Sequence, residues 1–384
     1  MVTYPPEWKT DIIDNIANIY DNLRIPVTKS ERKPGSTPYY GANGIQDYVS
    51  GYTHDGEFVL VAEDGANDLS NYPVIYAKGK IWVNNHAHVL AGIESIADTK
   101  FLSYLLKRVD YTKVLVGGTR AKLNGKIFRS IEITLPKSLR EQQTIASVLS
   151  DFDEHIKNLT QLIEKKKAIR DGALEDLTSG KTRLDGFNGE WEECIIEDCA
   201  YIYQGGTPNT NNSKYWNGDI VWLTPGEITN NKGMFISDSE RKITLDGIKN
   251  SSAVILPKGT ILLCTRATIG TLAISEKELA TNQGFKNLFC KPNTSNIFLA
   301  YLLLTKKEEM ISRAIGTTFL EISKKELSKM EICIPPLPEQ QAIAEILTAM
   351  DEEIEALEIE KAKMEGIKEG AMDDLLTGRV RLKI

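Results

Sequence analysis

Several short motifs in the sequence resemble parts of catalytic sites, and the spacing of each one can be tested. The segment SGKT at 179–182 has the ending of a phosphate-binding loop, but GxxxxGK(S/T) needs its first glycine where Glu175 stands. Pro335-Pro336 is preceded by isoleucine and followed by leucine, whereas an adenine methyltransferase carries (D/N)PP(F/Y). The nuclease-like spacing of Glu7 and Lys9 lacks an upstream Asp partner. We therefore predict no catalytic residues in this chain.

Cysteine and histidine side chains could bind a metal ion, but their spacing argues against it. Cys194 and Cys199 are not followed by a second Cys/His pair at the spacing of a tetrahedral zinc site. His86 and His88 stand two apart in a predicted strand over 81–90, which would put both on one face, without a nearby carboxylate or thiol cluster. We expect buried thiols, no disulfide scaffold and no metal.

The composition is that of a globular protein with more than one domain. The chain has 384 residues, 41% of them hydrophobic, and a net charge of −7. No basic N-terminal region with an apolar core and no apolar run of spanning length stands out, so we expect a cytoplasmic protein without a membrane segment. At face value the negative charge argues against nucleic-acid binding, which needs Lys and Arg to neutralise phosphates.

An internal repeat organises the chain. The segments that start at Leu139 and Leu337 align without a gap at an offset of 198, and 20 of 46 aligned residues are identical. Weaker similarity joins WKTDIIDNIANIY, which starts at Trp8, with WEECIIEDCAYIY, which starts at Trp191. The sequence therefore predicts two domains of one fold, each followed by a near-identical helix.

The repeated segments have the pattern of long helices. Apolar residues recur in steps of four and three, which is the seam of a coiled coil. Gly180 and Gly378 suit the left-handed position after a helix, and Gly172 and Gly370 could kink it or permit close packing. A dimerisation coiled coil explains the periodicity alone. Two copies in one chain can instead pack antiparallel about a local two-fold axis, with a variable head at either end.

The two heads, residues 1–138 and 183–334, are rich in glycine and in strand-forming residues. We predict strands over 58–68, 74–85, 219–228 and 259–270 and helices over 99–109 and 296–313. Between the heads, Asn85-His86 corresponds to Asn282-Gln283, and Gly118-Thr119 corresponds to Gly316-Thr317. A mixed α/β head of about 140 residues follows.

Together these motifs resemble the specificity (S) subunit of type I restriction-modification systems. The resemblance is carried by the tandem repeat, the REQQ and PEQQ helix starts, the SGK-x-RL and TGR-x-RL helix ends, and head motifs such as YYGANGIQDYV, LVAEDGA, GGTPNT, TRATIG and ATNQGF. It implies an α/β fold with α+β heads, in which two tandem target-recognition domains (1–138 and 183–334) are joined by two long antiparallel coiled-coil helices (139–182 and 335–384), an internal pseudo-two-fold repeat.

The resemblance implies that each head recognises one half of a split, asymmetric DNA sequence. Asn and Gln suit adenine edges, while Arg and Lys suit guanine or phosphate. A turn or strand-cap role is an equally good interpretation of any single residue. The predicted DNA-binding residues are Lys29, Tyr40, Asn43, Gln46, Asn85, His86, His88, Arg120, Lys122 and Lys126 in the first head, and Thr207, Asn209, Tyr215, Thr224, Arg266, Asn282, Gln283, Lys286, Thr317 and Thr318 in the second.

The resemblance further implies that the helices dock two methyltransferase (M) subunits and that two restriction (R) subunits join them. No cofactor is expected in this chain, and S-adenosylmethionine, ATP and Mg²⁺ are implied for the partner subunits, which methylate adenine and cleave DNA. The predicted docking residues are Gln142, Gln143, Phe152, Ile156, Gln340, Gln341, Met350 and Ile354.

Two alternatives remain open from the residues alone. The chain could be the recognition half of a self-contained modification enzyme, although heads and helices leave no room for a catalytic domain. It could also be a coiled-coil adaptor that binds no DNA. The charge separates by segment, since residues 335–384 carry −6 of the total of −7 and the heads are nearly neutral. The negative balance therefore does not exclude DNA binding by the heads, which we expect to be weak without partner subunits.

Overall fold

The computed structural model describes residues 4–66, 68–69, 71–115, 122–316 and 320–383. The chain divides into two compact units, of which the first contains Met1–Asn158 and Lys361–Ile384 and the second contains Leu159–Glu360. Each unit therefore contains one head, the first part of the long helix that follows it, and the last part of the other long helix. The mixed α/β fold with two tandem domains and two long helices is confirmed.

The first head is built on a six-stranded sheet with the strand order β2-β7-β5-β6-β3-β4, and strands β1 and β8 pair antiparallel. Most neighbours in the sheet are antiparallel, but β3 and β6 run parallel. The first long helix, α4, follows β8. The elements are β1 Trp8–Ile12, α1 Ile13–Ile16, β2 Ala17–Ile19, β3 Pro34–Gly41, β4 Gly44–Val49, β5 His54–Ala62, β6 Val74–Val83, β7 Ala87–Gly92, α2 Thr99–Lys107, α3 Gly125–Arg129, β8 Glu132–Pro136 and α4 Leu139–Thr178.

The second head contains a five-stranded sheet (β10-β17-β14-β15-β12), a three-stranded sheet (β13-β11-β16) and the antiparallel pair β18-β9. Here β11 and β16 are the parallel pair that corresponds to β3 and β6. The elements are β9 Glu192–Ile195, α5 Ile196–Cys199, β10 Ala200–Gln204, β11 Trp216–Leu223, α6 Pro225–Asn230, β12 Phe235–Ile236, β13 Lys242–Ile243, α7 Leu245–Lys249, β14 Ile261–Cys264, β15 Leu272–Ser275, β16 Ala280–Thr281, β17 Phe285–Cys290, α8 Asn296–Thr305, α9 Lys307–Ser312, α10 Lys324–Ser328, β18 Glu331–Ile334 and α11 Leu337–Leu375.

Helices α4 and α11 have 40 and 39 residues and end as the sequence predicts. Gly180 and Gly378 both have φ of +72°, the left-handed conformation that glycine adopts without strain. Both helices continue through Gly172 and Gly370. A Cβ atom at either position would meet no atom within 4 Å, so the close packing expected at these two glycines does not occur.

Within the second unit the two long helices run antiparallel. Lys166 pairs with Glu353 at 2.7 Å and Arg170 pairs with Asp351 at 2.7 Å, so residue numbers rise along one helix as they fall along the other. The seam residue Ile163 is buried. The antiparallel packing predicted from the repeat is therefore found where these helices meet inside one unit.

The core of each unit joins the head to the helices. In the first unit, Leu149 of α4 and Leu375 of α11 belong to the same apolar cluster as Phe101 of α2. In the second unit, Leu174 of α4 and Leu347 of α11 pack with the α8 side chains. The apolar faces of both helices are thus needed to complete the core of each head.

Several predicted strands were too long or contained a turn. The predicted strand over 81–90 is two strands, because β6 ends at Val83 and β7 begins at Ala87. The predicted strand over 219–228 ends at Leu223, where Thr224 and Pro225 start helix α6. The strand predicted over 259–270 is only four residues long. No helix in the described part of the chain is both long and apolar enough to span a bilayer.

Candidate functional site

The first head carries a tight turn at the end of its parallel strand pair. We call residues 84–86 the first edge turn; it connects β6 with β7. The backbone N–H of Asn84 donates to Tyr40 O at 3.1 Å, which ties the turn to the end of β3. The side-chain oxygen of Asn84 accepts the N–H of His86 at 2.8 Å. This bond is an Asx turn, which fixes the direction of the chain between the two strands.

The second head repeats this turn at 282–284, the second edge turn. The N–H of Asn282 donates to Leu223 O at 3.0 Å, and its side-chain oxygen accepts the N–H of Gly284 at 2.8 Å. Asn84 and Asn282 are therefore equivalent, at the same offset of 198 as the long helices. The sequence comparison that paired Asn85 with Asn282 was wrong by one residue, because only the hydrogen bonds reveal which asparagine closes the turn.

A second segment lies beside each edge turn, residues 63–64 in the first head and residues 265–266 in the second. The charge of its second residue is reversed between the heads. In the first head, Glu63 N–H donates to His86 O at 2.9 Å, and Asp64 forms a backbone bridge with Lys122. In the second head, Thr265 N–H donates to Gly284 O at 2.9 Å, and Arg266 forms the equivalent bridge with Glu321. At the equivalent backbone bridge, the residue beside the edge turn is acidic and its bridge partner basic in the first head, whereas the order is reversed in the second head.

The surface at the two turns differs accordingly. In the first head, His86 is exposed and its Nδ1 lies 2.5 Å from Asp64 Oδ1. In the second head the equivalent residue is Gly284, which has no side chain, and a cleft of about 360 Å³ opens there. The residues that line this cleft are Pro225, Arg266, Ala267, Asn282, Gln283 and Gly284.

His88 lies beneath the first edge turn and has almost no exposed side-chain surface. Its Nδ1 is 2.6 Å from Asp21 Oδ2, its Nε2 is 2.9 Å from Leu123 O, and its ring stacks on Phe128 at 4.6 Å between ring centres. Burial acts to raise the pKa of Asp21, but His88 and the N–H of Val89 hold it below its ordinary value. The prediction that His88 contacts DNA is therefore corrected, because this side chain supports the turn from below.

Lys286 is the counterpart of His88 in the second head. Its side chain is 2% exposed, and its Nζ lies 2.9 Å from Glu321 Oε1 and 3.5 Å from Thr265 Oγ1. A buried ammonium that is paired in this way is not available to a phosphate. The predicted DNA contact at Lys286 is corrected to a supporting role, since it holds the segment that bears Arg266 in place.

Among the described residues, one group has the spacing of potential metal ligands. Asp21, Glu63 and His88 offer ligand atoms within 4.8 Å of one another. However, Arg24 lies 2.6 Å and Lys122 lies 2.8 Å from the Glu63 carboxylate. Burial acts to raise the pKa of Glu63, and these two cations keep it below its ordinary value. The cluster therefore already has cationic partners and is an ion-pair network under the first edge turn.

Comparison with known proteins identifies the fold and the family. Residues 5–167 and 188–365 each match the type I restriction modification DNA specificity domain. The chain belongs to the family of type I restriction-modification specificity subunits. The resemblance seen in the sequence is thereby confirmed, and the two heads are DNA specificity domains.

Individual relatives support the same assignment. A putative type I restriction enzyme specificity subunit of Haemophilus influenzae is 33% identical over 351 residues, covering 89% of this chain and 86% of that protein. A specificity subunit of Methanocaldococcus jannaschii is 26% identical over 410 residues, covering 99% and 94%. The crystal structure of the S subunit from M. genitalium has 16% identity and a TM-score of 0.69, covering 98% of this chain and 96% of that one, which shows the shared fold.

The remaining predicted DNA-binding residues of this specificity subunit differ in their exposure. Tyr40 is buried in the apolar core of the first head, so its predicted DNA contact is corrected. Thr224 is half-buried at the start of α6, where its N–H and its hydroxyl both donate to the Glu227 carboxylate. Arg120, Thr317 and Thr318 lie outside the described residues. The positions with an exposed or half-exposed side chain are Lys29, Asn43, Gln46, Asn85, His86, Lys122, Lys126, Thr207, Asn209, Tyr215, Arg266, Asn282 and Gln283.

Two of these exposed residues lie outside the edge turns but bond to an edge turn or to the residue that follows the segment beside one. Asn43 donates to Gly65 O at 2.8 Å, and Thr207 donates to the side-chain oxygen of Gln283. Sequence reasoning missed Pro225 and Ala267, which line the cleft in the second head. Ala267 has φ of +64°, a conformation rare for residues with a side chain, and no sequence signal marks it.

The predicted docking residues of the specificity subunit also separate by burial. Gln142 is buried, and its amide nitrogen donates to Pro136 O at 2.8 Å and to Ile96 O at 3.0 Å. Gln340 is buried in the same way, donating to Pro335 O at 2.8 Å. The docking prediction for these two glutamines is corrected, because each fixes a helix start to its own head. Ile354 is also largely buried and lines a cleft within the second unit.

The other predicted docking residues keep accessible surface. Gln143 and Gln341 are exposed, whereas Phe152, Ile156 and Met350 are half-buried. Sequence reasoning missed an exposed apolar pair outside the seam. Ile169 is 49% exposed and Ile367 is 44% exposed, and they are equivalent at the offset of 198. Comparing the seam with the repeat offset would have found this pair.

The cysteines of the specificity subunit are free thiols. Cys199 and Cys264 are buried, while Cys194, Cys290 and Cys333 are half-buried, which matches the expectation of packed thiols only in part. Burial raises the pKa of Cys194 and of Cys264 to about 12. Little of either thiol is therefore in the reactive thiolate form at neutral pH, although the Sγ atoms of Cys194 and Cys199 are only 3.4 Å apart.

Proposed function

We propose that this specificity subunit binds one split, asymmetric DNA sequence with one half-site per head. The observation that carries the proposal is the reversed pair of charges on one backbone frame. Asp64 is the backbone-bridge partner of Lys122 beside the first edge turn, whereas Arg266 is the backbone-bridge partner of Glu321 beside the second. Two frames of one fold that carry oppositely charged side chains are expected to recognise two different base sequences.

The proposal assigns only part of the binding energy to this chain. The heads are nearly neutral, and residues 335–384 carry −6 of the net charge. Sequence-independent affinity for DNA comes mainly from cations that neutralise phosphates. Partner subunits would therefore supply most phosphate contacts, while the edge turns supply the base contacts. The isolated chain should bind DNA weakly and with little preference.

We assign the docking of two methyltransferase subunits to the long helices. Ile169 and Ile367 are exposed apolar side chains at equivalent positions of α4 and α11. Two equivalent surfaces on one chain suit two copies of one partner, because the same partner surface can meet each of them. Restriction subunits would join this assembly. S-adenosylmethionine, ATP and Mg²⁺ would be bound by those partners, in a cytoplasmic complex that methylates adenine and cleaves DNA, and not by this chain.

The experiment that tests the proposal is a methylation map. The chain is co-expressed with the methyltransferase subunit encoded beside it, in a host without other DNA methylation, and modified adenines are located across the genome. The expected result is a two-part motif with a fixed gap. A soluble, assembled complex that produces no new methylation would contradict the proposal, and a continuous motif would contradict the assignment of one half-site to each head.

A further inference from the structure

The second edge turn fixes the direction of one amide group. The side-chain oxygen of Asn282 accepts the N–H of Gly284 at 2.8 Å. A backbone N–H can only donate, so this position must be the oxygen of the amide and not its nitrogen. Asn282 is half-exposed and lines the cleft, and its amide nitrogen is consequently the group that remains to donate to a ligand.

The neighbouring side chains are donors as well. Gln283 is exposed, and its oxygen accepts the hydroxyl of Thr207, so its amide nitrogen also remains as a donor. Arg266 lines the same cleft, and a guanidinium has no acceptor. Three side chains that line this cleft, those of Arg266, Asn282 and Gln283, therefore carry N–H groups.

The backbone holds this cleft in shape. A Cβ atom at position 284 would lie 2.9 Å from Pro225 Cγ, so Gly284 allows the turn to approach helix α6. Ala267 has φ of +64°, and Thr268 N–H donates to Arg266 O at 2.8 Å across it. A left-handed alanine is held by its surroundings and costs free energy, which is typical of a functional site.

We infer that Asn282 and Gln283 recognise a guanine in the half-site of the second head, an inference that rests on the proposed function. In the major groove guanine presents two adjacent acceptors, N7 and O6, whereas adenine presents one acceptor and one donor. An amide pairs with adenine only when its oxygen can accept from the base. In Asn282 and Gln283 one lone pair of each amide oxygen is already used within the protein, whereas both amide nitrogens remain as donors in a cleft that Arg266 also lines. Guanine, with two adjacent acceptors, is the base that matches a surface rich in donors.

Asn282→Asp tests the inference with almost no change of shape. One carboxylate oxygen can still accept the Gly284 N–H, while the outward donor is replaced by an acceptor. The variant is co-expressed with its methyltransferase partner, and the methylated motif is compared with that of the unchanged chain. We expect methylation of the original sites to fall roughly tenfold or more, with the preference at one position moving from guanine towards cytosine, whose N4 amino group donates. The other half-site should stay as it was.

Two further variants make the result decisive. Gln283→Glu makes the same exchange on an exposed side chain, so it reports on recognition if Asn282→Asp does not fold. Asn188→Asp adds the same charge at an exposed position of the second unit outside the cleft, and its motif should be unchanged.

The outcomes separate this inference from the proposed function. A second half-site without any G·C pair would overturn it, and so would variants that reduce methylation equally at all sites without changing the motif, which indicates phosphate contacts. An unaltered motif in both cleft variants would also overturn it. If the unchanged chain produced no split motif, the proposed function itself would fail.

Discussion

The guanidinium of Arg381 is paired with the buried carboxylate of Glu141, with Nε 2.6 Å from Oε1. Arg183 and Glu339 form the equivalent pair at 2.6 Å, each residue being offset by 198 from its counterpart. Each pair joins the segment after one long helix to the first turn of the other, inside one unit. The internal repeat is therefore preserved in a polar contact that completes each unit.

Replacing Arg381 with Ala should destabilise the first unit. The carboxylate of Glu141 is 5% exposed, and removing its partner leaves a buried charge unpaired, at a cost of about 1–3 kcal/mol. Thermal unfolding should show a lower midpoint for Arg381→Ala. The double variant Arg381→Ala/Glu141→Gln should lose less stability than the sum of the two single variants, since both changes remove the same interaction. Fully additive losses would contradict the pairing.

Substitutions of the two adjacent glutamines at the start of α4 should have very different effects on the free energy of unfolding. Gln142→Ala removes buried hydrogen bonds to Pro136 O and Ile96 O, and should cost about 1–3 kcal/mol or more of unfolding free energy. Gln143→Ala changes an exposed residue of the same type and should be nearly neutral. Denaturant unfolding of both variants is the measurement. Equal losses would show that the buried glutamine does not fix the helix start.

The Asp21 carboxylate under the first edge turn, beside His88 and Arg24, predicts an acid-dependent stability. The folded-state pKa of Asp21 is lowered, so its contribution is present above its ordinary value of 3.8 and is lost as the pH falls through the folded value. Asp21→Asn should therefore lower stability at pH 7 and flatten the loss of stability in acid below about pH 4. Unfolding midpoints measured from pH 7 to pH 3 test this. A variant whose acid profile runs parallel to that of the unchanged chain would disagree with the assignment.

The equivalent isoleucines predict a stepwise loss of partner subunits. Ile169→Asp or Ile367→Asp should each remove one methyltransferase subunit from the complex, and the double variant should remove both, because a charge in an apolar contact is left unpaired. Native mass spectrometry of the purified complexes gives the stoichiometry. Ile359→Asp is the matched control, since Ile359 is 63% exposed but has Gln161 as its counterpart. Assembly should survive that change; if it does not, the docking surface is not set by the repeat.

The parts of the structure that the sequence predicted well are those with a long periodic signal. The start of α4, the antiparallel helix pairing and the left-handed glycines followed from residues repeated 198 apart, because coiled-coil spacing and helix ends depend on local residue types. The heads were predicted less well. A turn between β6 and β7 was missed because the strand-forming residues before Asn84 and after His86 were interpreted as one continuous strand, although Asn84 is a turn-favouring residue that closes the turn with its side chain.

Sequence analysis identified residues with suitable chemistry for the candidate site, but it did not predict which of them are buried. His88 and Lys286 have the chemistry to bind DNA, yet both are buried with carboxylate partners that lie far away in the sequence. The amide nitrogen of Gln142 likewise donates to the backbone oxygen of Ile96, in the turn between β7 and α2. Such roles depend on tertiary contacts, which single residue types and local spacing do not encode. Asn282, by contrast, keeps accessible surface in the cleft, so its predicted contact with DNA stays a prediction. The hydrogen bond from the Gly284 N–H to its side-chain oxygen could not be read from the sequence.

The most direct test of the account is an exchange of one head. Residues 1–134 are replaced by the corresponding segment of a related specificity subunit, and the methylated motif is mapped in the presence of the methyltransferase partner. If each head recognises its own half-site on an equivalent frame, one half of the motif changes while the other half and the gap remain. A motif in which both halves change would contradict the central claim.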